Sequence, residues 1–238
     1  MGTTVGKINI KSLPGVDVFL CSPPCQGMSK IGSRQRDDPR NQLYQTPLRY
    51  ARLKRPQIFM LENVPQFAKM RAFPGFICSL KLTYKFVKYQ ILDSSHFGSI
   101  QSRKRLFVIG KNSDFAFPRP KKARPRKLPL DPPTVYLSEK GVAYLKRRSK
   151  WGVKIYPRDA KAIVGTIPRS YGHMITWKHI IKENNGKLRS ITAKEALKIM
   201  GYNPKRLDLN GISQRQRFYL AGNSIDLKLL RKILAAVL

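Results

Sequence analysis

Apolar positions along this chain fall into two rhythms. Short unbroken runs at Asp17–Cys21, Gln57–Leu61, Phe86–Leu92 and Leu106–Gly110 are bounded by proline, glycine or charge and read as β-strands. The run Val18-Phe19-Leu20-Cys21 is apolar without alternation, which fits a central strand covered on both faces. Leu43–Lys54 and Phe76–Tyr84 read as helices between these runs. Thr192 followed by Glu195 has capping-box spacing ahead of Ala196, Leu197, Ile199 and Met200, and Gly201 closes that helix. Asp226 caps a last helix, Leu227–Leu238, with Leu229, Leu230, Ile233, Leu234 and Val237 on its apolar side. Strands interleaved with helices predict an α/β fold.

The strand ends carry the candidate chemistry. After Cys21 the pair Pro23-Pro24 forbids ladder pairing and stiffens the exit, so Cys25 sits on a rigid loop at the carboxyl end of a strand, where open α/β sheets place their reactive groups. A lone cysteine is otherwise a small buried hydrophobe. Glu62 closes the next apolar strand, either as a helix-capping carboxylate or as a working acid. Gln101-Ser102-Arg103-Lys104-Arg105 leads into the strand at Leu106, and period-2 spacing puts Arg103 and Arg105 on one face, within reach of a base oxygen, a phosphate or Glu62. A solvated basic edge is the plainer alternative.

Composition narrows the partner. With 238 residues, 42% of them hydrophobic, the chain can bury a real core. No apolar run is long enough to span a bilayer, and the start has no secretory signal, so a soluble cytoplasmic or nucleoid-associated protein is expected. Cys21, Cys25 and Cys78 have no metal-ligand spacing and no disulfide framework. Forty-seven Lys and Arg against 13 Asp and Glu leave a formal charge of +34, a field that draws polyanions. Two stretches concentrate it. Gln26 to Asn41, with Lys30, Arg34 and Arg36, is an aperiodic loop suited to closing over phosphates. Phe115 to Leu130 sets Arg119, Lys121, Lys122, Arg124, Arg126 and Lys127 among prolines and reads as an extended basic linker along a phosphate backbone. From Lys111 to Ile180 the pattern stays irregular.

Pro24-Cys25-Gln26, Glu62-Asn63-Val64, Gln101-Ser102-Arg103-Lys104-Arg105, Arg189-Ser190-Ile191-Thr192 with Met200-Gly201-Tyr202, and Gly222-Asn223-Ser224-Ile225 follow one another in an order that resembles the cytosine-C5 DNA methyltransferases. That resemblance implies a Rossmann-like S-adenosylmethionine-dependent methyltransferase sheet with an inserted target-recognition domain: residues 1–110 catalytic, 111–186 recognition, 187–238 returning to the catalytic domain. It implies transfer of a methyl group from S-adenosylmethionine to C5 of a cytosine flipped out of double-stranded DNA, with Cys25 attacking C6, Glu62 holding N3, and Arg103 and Arg105 ordering the pocket. It places Pro24, Leu43, Asn223 and Ser224 near the cofactor. Gln26, Ser29, Lys30, Arg34, Arg36, Gln101, Arg124, Arg126, Lys127, Thr166 and Arg169 fall on the nucleic acid, the last two in a Thr-containing loop, Thr166 to Gly172.

The match departs from the family at the beginning. Lys7 stands where an acidic residue commonly approaches the adenine of the cofactor, and the family's opening strand with its glycine-rich turn has no counterpart, so a sheet incomplete at its N-terminal side is expected, with either a second polypeptide supplying that strand or a truncated chain. Two other readings share the same residues. One is an RNA cytosine-C5 methylase acting on tRNA, although the Cys-Phe-Thr element of that branch is missing. The other is a non-catalytic basic DNA-binding subunit, against which the retained Cys25, Glu62, Arg103 and Arg105 argue.

Overall fold

The computed structural model describes residues 9–24, 43–147, 153–169, 171 and 179–238, and these form two compact units. The first takes Met1–Leu92, Lys104–Phe117 and Val237; the second takes Asp93–Arg103, Pro118–Ala236 and Leu238. These borders differ from breaks at 111 and 187. The short segment 93–103 belongs with the later residues because Ser102 N donates to Val164 O at 2.8 Å and Ser99 Oγ to Asp226 Oδ2 at 2.5 Å. No helix among the described residues is long and apolar enough to cross a membrane.

The first unit is built on a mixed four-stranded sheet in the order β1-β2-β4-β3, from β1 (Val18–Cys21), β2 (Ile58–Asn63), β3 (Phe86–Asp93) and β4 (Lys104–Lys111). β1 and β2 run parallel, Val18 opposite Ile58 and Cys21 opposite Leu61, joined through the crossover helix α1 (Gln45–Lys54). That helix stops at Arg55, whose φ of 46° is left-handed and which precedes Pro56, a position where the helical backbone is disfavoured. β4 pairs antiparallel to β2, with Glu62 opposite Phe107. Phe59, Leu61, Leu106 and Val108 pack with Phe67, Phe73, Phe76 and Leu80 from α2 (Phe73–Lys81) and the 3-10 turn before it. Every residue of β2 is buried, as its unbroken apolar run implies.

β1 is the edge strand of the described sheet, in keeping with a sheet incomplete beside it, but it departs from expectation in its faces: Phe19 stacks on Tyr50 at 4.2 Å, while Val18 and Leu20 are 37% and 40% exposed. A four-residue apolar run reports side-chain character but not whether a neighbour covers it, which is why the covered central strand read from its composition is not what the fold presents.

The second unit contains a two-stranded ladder of β5 (Arg126–Lys127) with β7 (Lys161–Ala162), and a three-stranded sheet in which β8 (His179–Lys182) lies between β6 (Lys154–Pro157) and β9 (Leu188–Ser190). Its helices are α3 (Glu139–Arg147), α4 (Ala193–Ile199), α5 (Gln214–Asn223) and α6 (Leu227–Val237). Thr192 and Glu195 form the expected capping box on α4, Gly201 follows it with φ of 88°, and Asp226 accepts from the N–H groups of Lys228 and Leu229 to cap α6. The core gathers Ile100, Leu128, Val164, Ile167, Ile181 and Leu197. Beside it a buried ionic cluster joins Arg189 to Glu183 at 2.5 Å and to Glu195 at 2.9 Å, with Arg158 on the other oxygen of Glu183 at 2.6 Å.

Candidate active site

In the first unit the carboxyl ends of parallel β1 and β2 lie side by side, next to the amino end of antiparallel β4. This convergence assembles a small polar cluster. Ser22, one residue beyond β1, donates from Oγ to Glu62 Oε2 at 2.6 Å. Arg105 places Nε 3.0 Å from the other oxygen, Glu62 Oε1. Asn63 donates from Nδ2 to Pro23 O at 3.3 Å and accepts from Val64 N through Oδ1 at 2.8 Å, tying the Pro23-Pro24 exit to the end of β2. The Glu62 carboxylate is thus buried yet held on both oxygens, which satisfies a charged group in a low-dielectric position. Cys25, Gln26, Ser29, Lys30, Arg34 and Arg36 lie outside the described residues.

Cys21 belongs to the same strand end but is not equipped as a nucleophile. Burial, and then the charge of Glu62, push its thiol far above the ordinary cysteine range, and its Sγ faces Met60 O at 3.6 Å. Cys78 is exposed on α2. Pro24 and Leu43 are half-buried at the two ends of the 25–42 segment and offer apolar contact surface.

The second unit uses its predicted site residues differently. Arg103 lies one residue before β4 begins, so strand alternation does not govern it; it is buried, and its guanidinium donates to the carbonyls of Ile167 at 3.3 Å, Gly222 at 2.8 Å and Ser224 at 3.1 Å. The two arginines have different partners: Arg105 meets Glu62, whereas Arg103 cross-ties the 167–169 loop to the end of α5. Gln101, 0% exposed, accepts from Ile167 N at 2.7 Å and donates to Met200 Sδ at 2.7 Å, so its amide is spent inside the unit rather than offered to nucleic acid. Thr166 Oγ1 donates to Ser102 O at 3.0 Å, and the Arg169 guanidinium sits 5.1 Å over the Tyr219 ring. Arg124 and Arg126 are exposed, as the phosphate-tracking expectation requires, but Lys127 pairs with Asp159 at 3.0 Å and both Arg126 and Lys127 lie in the β5 ladder rather than in a linker.

Of the cofactor candidates in this unit, Ser224 spends its hydroxyl on Leu220 O at 2.7 Å, while Asn223 presents an exposed side-chain amide at the end of α5. Taken singly, that amide and the apolar surfaces of Pro24 and Leu43 in the first unit each suit an uncharged part of an adenosine-type ligand. Sequence reasoning gives Asn63 the turn after Glu62 but misses its tie to Pro23, and it misses Ser22 altogether. The signal for both was their position immediately beside predicted strand ends, where a short polar side chain can reach the neighbouring strand.

The sequence profile of the C-5 cytosine-specific DNA methylases matches residues 3–139, more than half of the chain. The Type II methyltransferase M.BsuFI of Bacillus subtilis is 28% identical over 98% of this chain, and the chain spans 60% of that relative's length. The Type II methyltransferase M.Bsp6I of a Bacillus species is 27% identical over 96% of this chain and 81% of its own. Among solved structures, the S. pombe Dnmt2 methyltransferase superposes with a TM-score of 0.77 at 18% identity, covering 99% of this chain and 82% of that one, a likeness of fold.

Proposed function

Because the chain belongs to the C-5 cytosine-specific DNA methylase family, we propose that it methylates C5 of cytosine in double-stranded DNA, with the Ser22–Glu62–Arg105 cluster at the strand ends as the fixed half of its catalytic site. The observation that carries this reading is the Glu62 carboxyl held on both oxygens at the end of β2, beside the strand end that precedes Cys25 in the sequence.

In this reading the Cys25 thiolate forms a bond to C6 of a cytosine turned out of the duplex, and the displaced electron pair accumulates at C5. Glu62, having taken up a proton, donates it to N3, which neutralises the ring as that charge develops, and takes it back when the ring regains its aromatic form, while Arg105 holds the Glu62 side chain in register. S-adenosylmethionine, when bound, would supply an electrophilic methyl group for C5, its S–CH3 bond breaking and S-adenosylhomocysteine leaving. A base then removes the C5 proton, the ring regains its double bond, and the Cys25 sulfur leaves. Pro24 and Leu43 are proposed as apolar cofactor contacts, and Asn223 as a polar one. Arg103 supports the reading indirectly, through the loop it fixes. Residues 111–186 are assigned to reading the DNA sequence, with the exposed Arg124 and Arg126 on phosphates.

We further infer that the edge of β1 that no described strand pairs takes a strand from a second polypeptide. Val16, Val18 and Leu20 are exposed apolar residues on a strand that is paired only to β2 among the described strands, an arrangement that invites edge pairing. Calorimetry on the purified chain alone is expected to show little binding of S-adenosylmethionine; tight binding by a monomer overturns this inference.

The activity itself is tested by transfer of a tritiated methyl group to DNA and, in parallel, to tRNA, with wild type and Cys25→Ala and with Cys78→Ala as control. Labelling of DNA that is lost in Cys25→Ala while DNA binding persists supports the reading. Labelling of tRNA in place of DNA, or turnover by Cys25→Ala, overturns it.

A further inference from the structure

The second unit holds a concavity of about 650 Å³ that the proposed chemistry does not use. It lies beside the start of α4, the 3-10 turn Pro204–Arg206, the strip that follows to Asn210, and Arg217 of α5. Its walls are built rather than loose. Asn203 caps the turn, accepting from Lys205 N at 3.0 Å. Arg217 clamps the strip, donating from Nε to Ile212 O at 2.8 Å and from Nη2 to Leu209 O at 2.9 Å. Leu209 packs against the core of the unit, while Leu207 keeps 37% of its surface exposed. The result is a fixed surface with an apolar component and a cationic rim.

The charges on that rim are poorly compensated. Lys194 shares Asp131 with Lys198, at 3.9 Å against 2.6 Å, so the nearer lysine takes most of that carboxylate. Asp208, the acidic residue in the lining, turns its Oδ1 onto Asn210 N at 3.1 Å, closing a local turn. Among the described residues no carboxylate lies within ion-pair distance of Lys205 or Arg206. Several cations held close together by a rigid turn repel one another, and the arrangement is relieved when an anion enters. The volume is far larger than one inorganic anion needs, and the apolar component suits a sugar edge. With a formal charge of +34 on the chain, the anion that fits is a polymer.

We propose that this concavity is a subsite for the phosphodiester backbone of DNA, holding the duplex by charge through Lys205 and Arg206 without reading bases. It rests on the reading that the chain acts on DNA. Interactions of this kind position a duplex and raise affinity for every sequence alike.

The test is the salt dependence of double-stranded DNA affinity for wild type, Lys205→Gln/Arg206→Gln, and a charge-matched control, Lys69→Gln/Lys81→Gln, both of whose lysines are exposed in the first unit. The Lys205→Gln/Arg206→Gln pair is expected to lower the slope of log affinity against log salt by about 2, roughly one for each phosphate that is no longer neutralised. It should do so on any sequence, with an unchanged thermal melt, and the control should keep at least about three-quarters of the wild-type slope. A wild-type slope in the 205/206 variant, or an equal drop in the control, overturns the subsite while leaving methyl transfer to DNA standing. Failure of wild type to bind or label DNA overturns both.

Discussion

Arg105 Nε lies 3.0 Å from Glu62 Oε1 because the two residues are diagonal neighbours across an antiparallel ladder: Glu62 pairs with Phe107, and Arg105 is the next side chain of β4 on that face. The pair is nearly dry, with Ser22 closing the other oxygen. Glu62→Gln keeps the shape but cannot deliver a proton, so single-turnover methyl transfer should fall by about 10²–10⁴-fold while DNA affinity holds. Arg105→Lys removes the planar donor and should lower the rate without restoring it through charge alone. A loss smaller than about tenfold in Glu62→Gln would remove Glu62 from the chemistry.

Arg103 is a different case despite standing two residues away. Its guanidinium serves three carbonyls, of Ile167, Gly222 and Ser224, from a buried position. Arg103→Met fills the space but strands those acceptors, and the second unit should lose about 2–4 kcal/mol in thermal or urea unfolding. Arg103→Lys should recover less than half of that, since one ammonium cannot span three acceptors. An Arg103→Met variant that melts like wild type would show that these carbonyls are satisfied in another way.

Much of this arrangement is legible in the amino-acid order alone. The unbroken apolar run ending in Glu62 indicates a buried strand, and the Thr192/Glu195 spacing, Gly201 and Asp226 mark helix ends, because each is a local rule satisfied within a few residues. Most of the failures are long-range. Whether the faces of β1 are covered depends on packing partners its own four residues cannot name. Arg126 and Lys127 look like linker because their ladder partners, Lys161 and Ala162, lie far along the chain. The carbonyls that Arg103 serves, of Ile167, Gly222 and Ser224, lie far along the chain from it, so period-2 spacing could not name them. Helix α3 went unread because Gly141 and its charged neighbours hide a short apolar stripe.

Gly222 marks how tightly the end of α5 meets the Arg169 loop. A Cβ there would stand 2.2 Å from Arg169 N and 2.3 Å from its Cα, backbone atoms that cannot rotate away. Gly222→Ala should therefore cost at least about 1–3 kcal/mol of overpacking and disturb the Arg169–Tyr219 stack. Gly75, in α2, has nothing within 4 Å of its Cβ position, and Gly75→Ala should be neutral or stabilising by up to about 1 kcal/mol. Paired melting curves of the two variants check the contrast; equal effects would contradict it.

The basic residues from Arg124 through β5 should contribute unequally to DNA binding. Arg124 and Arg126 are exposed, whereas Lys127 is paired with Asp159. Arg124→Gln/Arg126→Gln should lower the salt slope by about 2, and adding Lys127→Gln should lower it by less than about 1 more, because that charge is already partly answered. A full further unit from Lys127 would mean that DNA displaces Asp159.

The ionic cluster of the second unit gives it an acid-sensitive stability. Burial alone would raise the Glu183 carboxyl, but hydrogen bonds from Arg158 and Arg189, reinforced by their charges, outweigh it and hold Glu183 below the ordinary carboxylate range. A depressed folded value means that the unfolded chain binds the proton first, so the contribution is complete above the unfolded value of about 4.3 and disappears as the pH falls through the depressed folded one. Glu183→Gln should thus destabilise the protein near pH 7, by about 3–5 kcal/mol, since it leaves Arg189 buried with Glu195 as its remaining carboxylate partner. The same substitution should flatten the acid limb of a stability-against-pH curve measured between about pH 6 and pH 3. If Glu183→Gln and wild type lost stability in parallel over that range, the acid response would have to come from other carboxylates, with Asp93 next in line: burial raises it too, but hydrogen bonds from Ser102, Ser95 and Arg103 N hold it low.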